Sequence, residues 1–235
     1  MSKIEIRDFP EPLPRDVLDR AAKLSSANLC DGMIGLGIPR DGCMESGIYP
    51  VSPAMRSSGT ICTVDTDAGN NMPIHLALYK APPGSGYVMV IDGNNVQDYP
   101  YFGDNMMLTG KVIGLGGMVV DGCVRDREGC AGMEFPVFAR GYLPRGPQKI
   151  DFGGINRPIS CGGLLINPGD LIIADADGVA VAPRDRVYEI LDKAEKKLAY
   201  DEDRKAVMRE YETARLKGEP TPELAPKWVK DIIGK

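Results

Sequence analysis

The chain has 235 residues, 43% of them hydrophobic and 26% charged, with a formal net charge of -5, the profile of a globular chain large enough for a real core. Its basic residues are scattered until the last fifth of the chain and form no stripe interleaved by aromatics, which argues against nucleic-acid binding. No apolar run approaches the ~20 residues needed to cross a membrane, and the charged, proline-rich start MSKIEIRDFPEPLPRDVL has no signal-peptide core, so a cytoplasmic location is expected.

Residues 1–14 read as a polar lead-in that drapes over a neighbour. Val17, Leu18, Ala21 and Ala22 at helical spacing predict a helix over Pro14–Leu24, and Ser25-Ser-Ala-Asn-Leu-Cys-Asp31 begins a second. Gly32 to Gly47 is loop-like, and its glycines do not form a phosphate-binding pattern. The β-branched run Gly59–Asp65 predicts a strand, Asp67–Asn71 a turn, and Met72–Lys80 a helix with Pro73 in its first turn. That helix carries the lone His75, for which packing or hydrogen bonding is weighed ahead of a role as base or ligand. Tyr87–Asp92 is a nearly continuous apolar run, as in a strand buried on both faces, followed by a polar loop over Gly93–Phe102.

The stretch Tyr101–Asp126 organises the rest. Gly103-Asp104 opens a short helical segment, Gly114-Leu-Gly-Gly117 turns the chain, Met118–Asp121 is a buried strand, and Gly122-Cys-Val-Arg125-Asp126 follows it. A short polar connection leads to strands at Phe135–Arg140, Arg157–Ser160, Leu164–Ile166, Leu171–Ala174 and Val179–Ala182. Asp175-Ala-Asp177-Gly178 reads as a hairpin turn in preference to a calcium loop, whose further ligands are missing. After Pro183, Asp185 caps a long helical pattern reaching about Lys217, and a proline-rich end carries the only tryptophan, Trp228. The division expected is an α/β core over 1–183 and a helical, subunit-contacting arm over 184–235.

The six cysteines are Cys30, Cys43, Cys62, Cys123, Cys130 and Cys161. None forms C-x-x-C, and one histidine does not complete a zinc cluster, so they read as small buried hydrophobes of a reducing compartment. Cys123 lies beside the central stretch; packing is preferred to a catalytic thiol because no base accompanies it.

Asp104 at a helix start and Arg125-Asp126 just past a strand end are placed to meet at one lip of an α/β sheet, where small ligands bind. The unpaired N–H groups of Asn105 and Met106 favour an anion, Arg125 offers a fork for a carboxylate, and Asp126 with Asp104 suits a hard cation such as magnesium. From spacing alone, a surface Arg–Asp pair plus a capping Asp accounts for the same residues equally well.

Gly103-Asp104 followed by Gly-Cys-Val-Arg125-Asp126 resembles the RraA-like family. This family includes the class II 4-hydroxy-4-methyl-2-oxoglutarate / 4-carboxy-4-hydroxy-2-oxoadipate aldolases and the regulator of ribonuclease E activity. Leu24–Asp31, Gly69–Met72 with His75, Phe135–Gly141 and Pro168–Asp175 through Gly178 are similar to it in the same order. The resemblance implies a β/β/α swivelling-type α/β sandwich with a long C-terminal helix, assembled as a homotrimer or homohexamer. It also implies magnesium or manganese on Asp126, Asp104 acting through metal-bound water, and pyruvate held by Arg125 with the amides of Asn105 and Met106. A glutamate from the neighbouring subunit's helix would complete the site: Glu202, with Glu195 and Glu210 on the same helix. The implied activity is release of pyruvate from a 4-hydroxy-2-oxo acid without a Schiff-base lysine, with oxaloacetate decarboxylation beside it. The family's acid three positions after Asp126 falls here on Gly129, with Glu128 one place early, which bears on substrate preference.

Two other readings stand beside the lyase. A non-catalytic binding module like the ribonuclease regulator needs no metal, but the short regulators end near the position of Pro183. A nucleotide-dependent enzyme is suggested by Gly114-Leu-Gly-Gly117, which precedes a strand where a dinucleotide site requires it to follow one. Some other metal enzyme on a keto or hydroxy acid remains a variant of the first reading.

Overall fold

The computed structural model describes residues 3–233. The chain divides into two compact units, Met1–Ala194 and Glu195–Lys235. The first is built on a ten-stranded mixed sheet formed by β1 (Ile4–Ile6), β2 (Tyr49–Pro50), β3 (Ser57–Asp65), β4 (Val88–Pro100), β5 (Gly117–Val124), β6 (Val137–Ala139), β7 (Gly141–Tyr142), β8 (Gly153–Ile155), β11 (Leu171–Asp175) and β12 (Gly178–Ala182). Between β8 and β11, β9 (Ile159–Cys161) and β10 (Leu164–Ile166) make a separate hairpin. The helices are α1 (Arg15–Ala21), α2 (Ser26–Met33), α3 (Met72–Lys80), α4 (Asp104–Val112), α5 (Arg127–Ala131), α6 (Val187–Lys217) and α7 (Lys227–Ile233).

β3, β4, β5 and β6 pair in parallel, Ile61 opposite Val88, Val90 opposite Val119 and Met118 opposite Val137. Parallel neighbours require crossovers, and α3, α4 and α5 supply them in chain order. Side chains alternate across these strands. Met89, Ile91, Met118 and Val120 join Ile74, Leu78 and Met107 of α3 and α4 in one buried cluster. Val88, Val90 and Val119 join Ile166, Ile172 and Val181 in the other. Helices therefore cover one face and a second layer of strands the other, so Tyr87–Asp92 reads as a continuous apolar run.

Local chemistry fixes the elements that carry this frame. Ser25 caps α2 in a reciprocal box with Asn28, whose N–H donates to the serine hydroxyl at 3.1 Å. The backbone N–H and hydroxyl of Ser26 donate to the two carboxylate oxygens of Asp175 at 2.8 and 2.6 Å, so the end of β11 pins the start of α2. Asp175 opposes Gly178 in the β11–β12 ladder, and Gly178 has φ of +136°, so this segment is the hairpin turn read from the sequence.

Several local expectations are corrected. Part of the lead-in over residues 1–14 is strand β1, which pairs in parallel with β8, Ile4 opposite Gly153. The loop expected over Gly93–Phe102 is largely the continuation of β4 to Pro100, with register breaks on either side of Val96 and left-handed backbone at Asn94 and Asn95. The connection after Asp126 is the short helix α5. Asp185 does not cap α6; it lies within a 3-10 turn, Arg184–Arg186, that runs into the helix. In the second unit, Arg204 donates to the Leu224 carbonyl at 2.5 Å. Among the described residues no helix is long and apolar enough to cross a membrane.

Candidate active site

Segments twenty-two positions apart in sequence need a physical reason to lie side by side, and Tyr101 supplies it. Its ring is fully buried against Gly93 and Gly122, where any side chain would overlap it, and its hydroxyl donates to the Gly93 carbonyl at 2.6 Å. Two backbone bonds then align the segments that follow β4 and β5. Tyr101 N–H donates to the Cys123 carbonyl at 2.9 Å, and Arg125 N–H to the Phe102 carbonyl at 3.0 Å. Gly103-Asp104 is thereby laid beside Arg125-Asp126, at the carboxyl ends of adjacent parallel strands, where open α/β sheets bind ligands.

Each acid rests against a glycine of the other segment. A Cβ on Gly103 would overlap Asp126 Oδ2, and a Cβ on Gly129 would stand 2.9 Å from Asp104 Oδ2. Gly103 has φ of -137°, an ordinary extended value, so space and not backbone freedom makes glycine necessary there. Asp126 is itself left-handed, with φ of +57°, and begins α5. Burial first, then the carboxylates of Asp104 and Asp126, push the Cys130 thiol up to about 12. Both acids thus act on one buried group. The absence of a side chain at position 129 is what brings Asp104 close to α5.

Arg125 Nε lies 3.2 Å from Asp126 Oδ2, and the two side chains are 37% and 39% exposed. Both line a cavity of about 340 Å³ together with Asn105, Met106, Asn71 and Lys149. The first amide of α4 bonded within the helix is that of Met107, to Gly103 O at 3.2 Å. The amides of Asn105 and Met106 precede that ladder, as anion-binding helix starts require. Asp104 is not part of the cavity lining. Its carboxylate stands at the α4–α5 contact, against Gly129.

Sequence reasoning passed over three contributors. Asn71 and Phe102 line the cavity from the ends of the connections after β3 and β4, and Lys149 comes from the long loop after β7, within a glycine- and proline-rich segment that gave no signal. Asn71 is buried, its amide nitrogen reaches only the Met106 sulfur at 3.6 Å, and its Oδ1 has no partner. His75 also lines the cavity, and burial, then Lys149, lowers its pKa. Cys123 is buried, with its thiol raised by desolvation, and behaves as a packing residue. On α6, Glu202 is exposed and bonded to Lys205 at 2.7 Å, Glu210 is exposed and Glu195 half-buried.

Asp126 and Asp104 are hard oxygen donors. Among the described residues no three His, Cys, Asp or Glu side chains gather into a metal-binding group. Magnesium and similar ions retain waters and take one or two carboxylates, so this donor set fits them and lacks the nitrogen and sulfur ligands zinc prefers.

These features make a candidate site for a small anion on a mixed α/β sheet, and the model of the RraA-like family, described as Aldolase/RraA, matches residues 26–181. The chain belongs to the RraA-like family. It is similar to a Halalkalibacterium halodurans protein bearing the provisional name 4-hydroxy-4-methyl-2-oxoglutarate aldolase, 40% identical over 161 residues, which are 68% of this chain and 76% of the relative. An Aromatoleum aromaticum protein with the same provisional name is 32% identical, over 68% of this chain and 96% of its own length. Among solved structures, Streptomyces coelicolor RraAS2, described as an unusual member of the RNase ES inhibitor RraA protein family, aligns with a TM-score of 0.73 at 26% identity, over 84% of this chain and 99% of that one. Asp104, Arg125 and Asp126 fall within the matched region, and Glu202 lies beyond it.

Proposed function

We propose that this protein is a divalent-metal-dependent carbon–carbon lyase that cleaves a 4-hydroxy-2-oxo acid of the 4-hydroxy-4-methyl-2-oxoglutarate type to pyruvate and a second keto acid, and that also decarboxylates oxaloacetate. The observation that carries the reading is the convergence of Arg125, Asp126 and the first amides of α4 in one cavity. The provisional names of the relatives support the substrate class.

The chemistry asked of the residues is specific. The substrate carboxylate sits on the amides of Asn105 and Met106, with the Arg125 guanidinium beside the 2-oxo oxygen. Transfer of the C4 hydroxyl proton to water lets the C4 oxygen become the carbonyl of the second keto acid as C3–C4 breaks, which places the bond's electron pair on C3, delocalised onto the 2-oxo oxygen. Arg125 stabilises the charge as it develops, the role of an oxyanion donor. Protonation of C3 yields pyruvate. Lys149, a second cation in the same cavity, suits a substrate with a second carboxylate. A magnesium or manganese ion would be held by Asp126, with Asp104 and Glu202 of a neighbouring subunit on its waters, and would supply Lewis-acid polarisation of the 2-oxo group. The assembly that brings such a glutamate is a homotrimer or homohexamer.

The test is pyruvate release from both acids with magnesium and with a chelator, beside Arg125→Ala. Chelator-sensitive turnover that disappears in the variant supports the reading. No turnover by an intact oligomer favours a binding role like that of the ribonuclease regulator.

A further inference from the structure

Two thiols outside the catalytic cavity share a second one. Cys30, half-buried on α2, and Cys43, exposed just after the 3-10 turn Pro39–Gly42, face the same space, near enough for the Cys43 thiol to act on that of Cys30. Both line a cavity of about 400 Å³ with Asp31, Arg40, Asp41 and Asp177, and it shares no lining residue with the catalytic cavity.

Hydrogen bonds fix the main chain at Cys43. Cys43 N–H donates to the Arg40 carbonyl at 2.9 Å, and Arg40 Nε donates back to the Cys43 carbonyl at 3.0 Å. Cys43 also bridges Ala180 on β12. Gly42, at φ of +69°, sits so close to the Met33 side chain and the Val181 carbonyl that a Cβ would overlap both. The turn is therefore pressed onto the end of α2, whose start is fixed by Asp175. The other four cysteines are buried.

We propose that Cys30 and Cys43 form a two-electron redox site that a hydroperoxide converts to an intramolecular disulfide. The exposed Cys43 thiolate attacks a peroxide oxygen and the O–O bond breaks, giving a Cys43 sulfenic acid and a hydroxide that takes up a proton. The Cys30 sulfur then attacks the Cys43 sulfur, the S–O bond breaks, and the departing hydroxide leaves as water with the Cys30 proton. Two thiols and hydrogen peroxide become one disulfide and two waters. Burial first, then Cys43 and the acids Asp31 and Asp41, push the Cys30 thiol up to about 12, which assigns it the second step.

The test uses the full chain, reduced, freed of reductant, exposed to hydrogen peroxide and digested without reduction for peptide mapping. The expected product is a linkage between the peptides holding Cys30 and Cys43, lighter by two hydrogens and reversed by dithiothreitol. It forms faster as pH rises and is absent in Cys43→Ser and Cys30→Ser. The crosslink closes a short loop, so the oxidised protein should melt roughly 5 °C or more above the reduced one. Both thiols remaining alkylatable after peroxide, or Cys43 advancing to a sulfinic acid beside a free Cys30, would overturn the proposal. The wild-type map decides between these outcomes whether or not either variant folds.

Discussion

β5 carries in its body the acid of one Arg–Asp pair, Asp121 with Arg140 from the β6–β7 junction, and delivers a second pair from its end, and their difference separates structure from chemistry. Asp121 and Arg140 are 6% and 8% exposed at the side chain. Asp121 accepts Arg140 Nε and the Gly162 N–H, and Arg140 also reaches the Ser46 carbonyl and Glu45 at 3.2 Å. Every strong valence of that pair is turned inward. Arg125 and Asp126 share a single 3.2 Å contact, are more than a third exposed and face a cavity. An ion pair by itself says little. Donor capacity left over at a strand's carboxyl end is what marks a site.

That contrast can be broken from either side. The largest effect expected is on turnover. Arg125→Ala should lower kcat for pyruvate release on the order of 10²–10³-fold, the cost of an oxyanion donor, with an unfolding midpoint close to wild type. A comparable fall in stability would place Arg125 with the structural pair. Asp121→Ala should do the reverse, costing about 3 kcal/mol by leaving the Arg140 charge buried without its main partner. Urea unfolding measures that loss, and the folded fraction should keep its turnover.

Gly103→Ala tests the mutual packing of acids and glycines. Its backbone tolerates alanine, but the new methyl group displaces the Asp126 carboxylate, so activity should fall about 10²-fold while the fold survives. Gly129→Ala should cost less, because its close neighbour is Asp104, whose proposed role runs through metal-bound water and not through the substrate. An activity ratio near one for Gly103→Ala would show that Asp126 is free to work elsewhere.

The smallest effect is a pH slope. Burial and Lys149 lower the His75 pKa from its ordinary 6.5, so the unfolded chain binds that proton more readily than the folded one. The stability owed to neutral His75 is present above 6.5 and is lost as pH falls through the window below it. Denaturant midpoints of wild type and His75→Gln over that window should diverge toward acid, with the variant flatter.

What was legible in the sequence follows from range. The start of α2 at Ser25-Ser26, Pro73 in the first turn of α3, the turn before Gly178 and the helix start at Asp104 depend on neighbours within a few positions, and those were read correctly. The alignment of Gly103-Asp104 beside Arg125-Asp126 depends on the slot that Gly93 and Gly122 leave for Tyr101, which no local pattern records. β1 escaped notice because three residues alternate too briefly to announce a strand and its partner β8 lies far along the chain. The extension of β4 was hidden by polar residues and bulges at Asn94 and Asn95. Lys149 reaches the cavity from an irregular loop, where periodicity carries no information.

The central claim is that Arg125 and Asp126 bind a 2-oxo acid through a metal-assisted site. The most direct measurement is magnesium-dependent pyruvate release from oxaloacetate and from 4-hydroxy-4-methyl-2-oxoglutarate by wild type, Arg125→Ala and Asp126→Asn. The account predicts turnover of both acids by wild type, abolished by chelator, restored by magnesium and lost in both variants with the fold intact. Turnover that ignores chelator, or that survives in either variant, would contradict it.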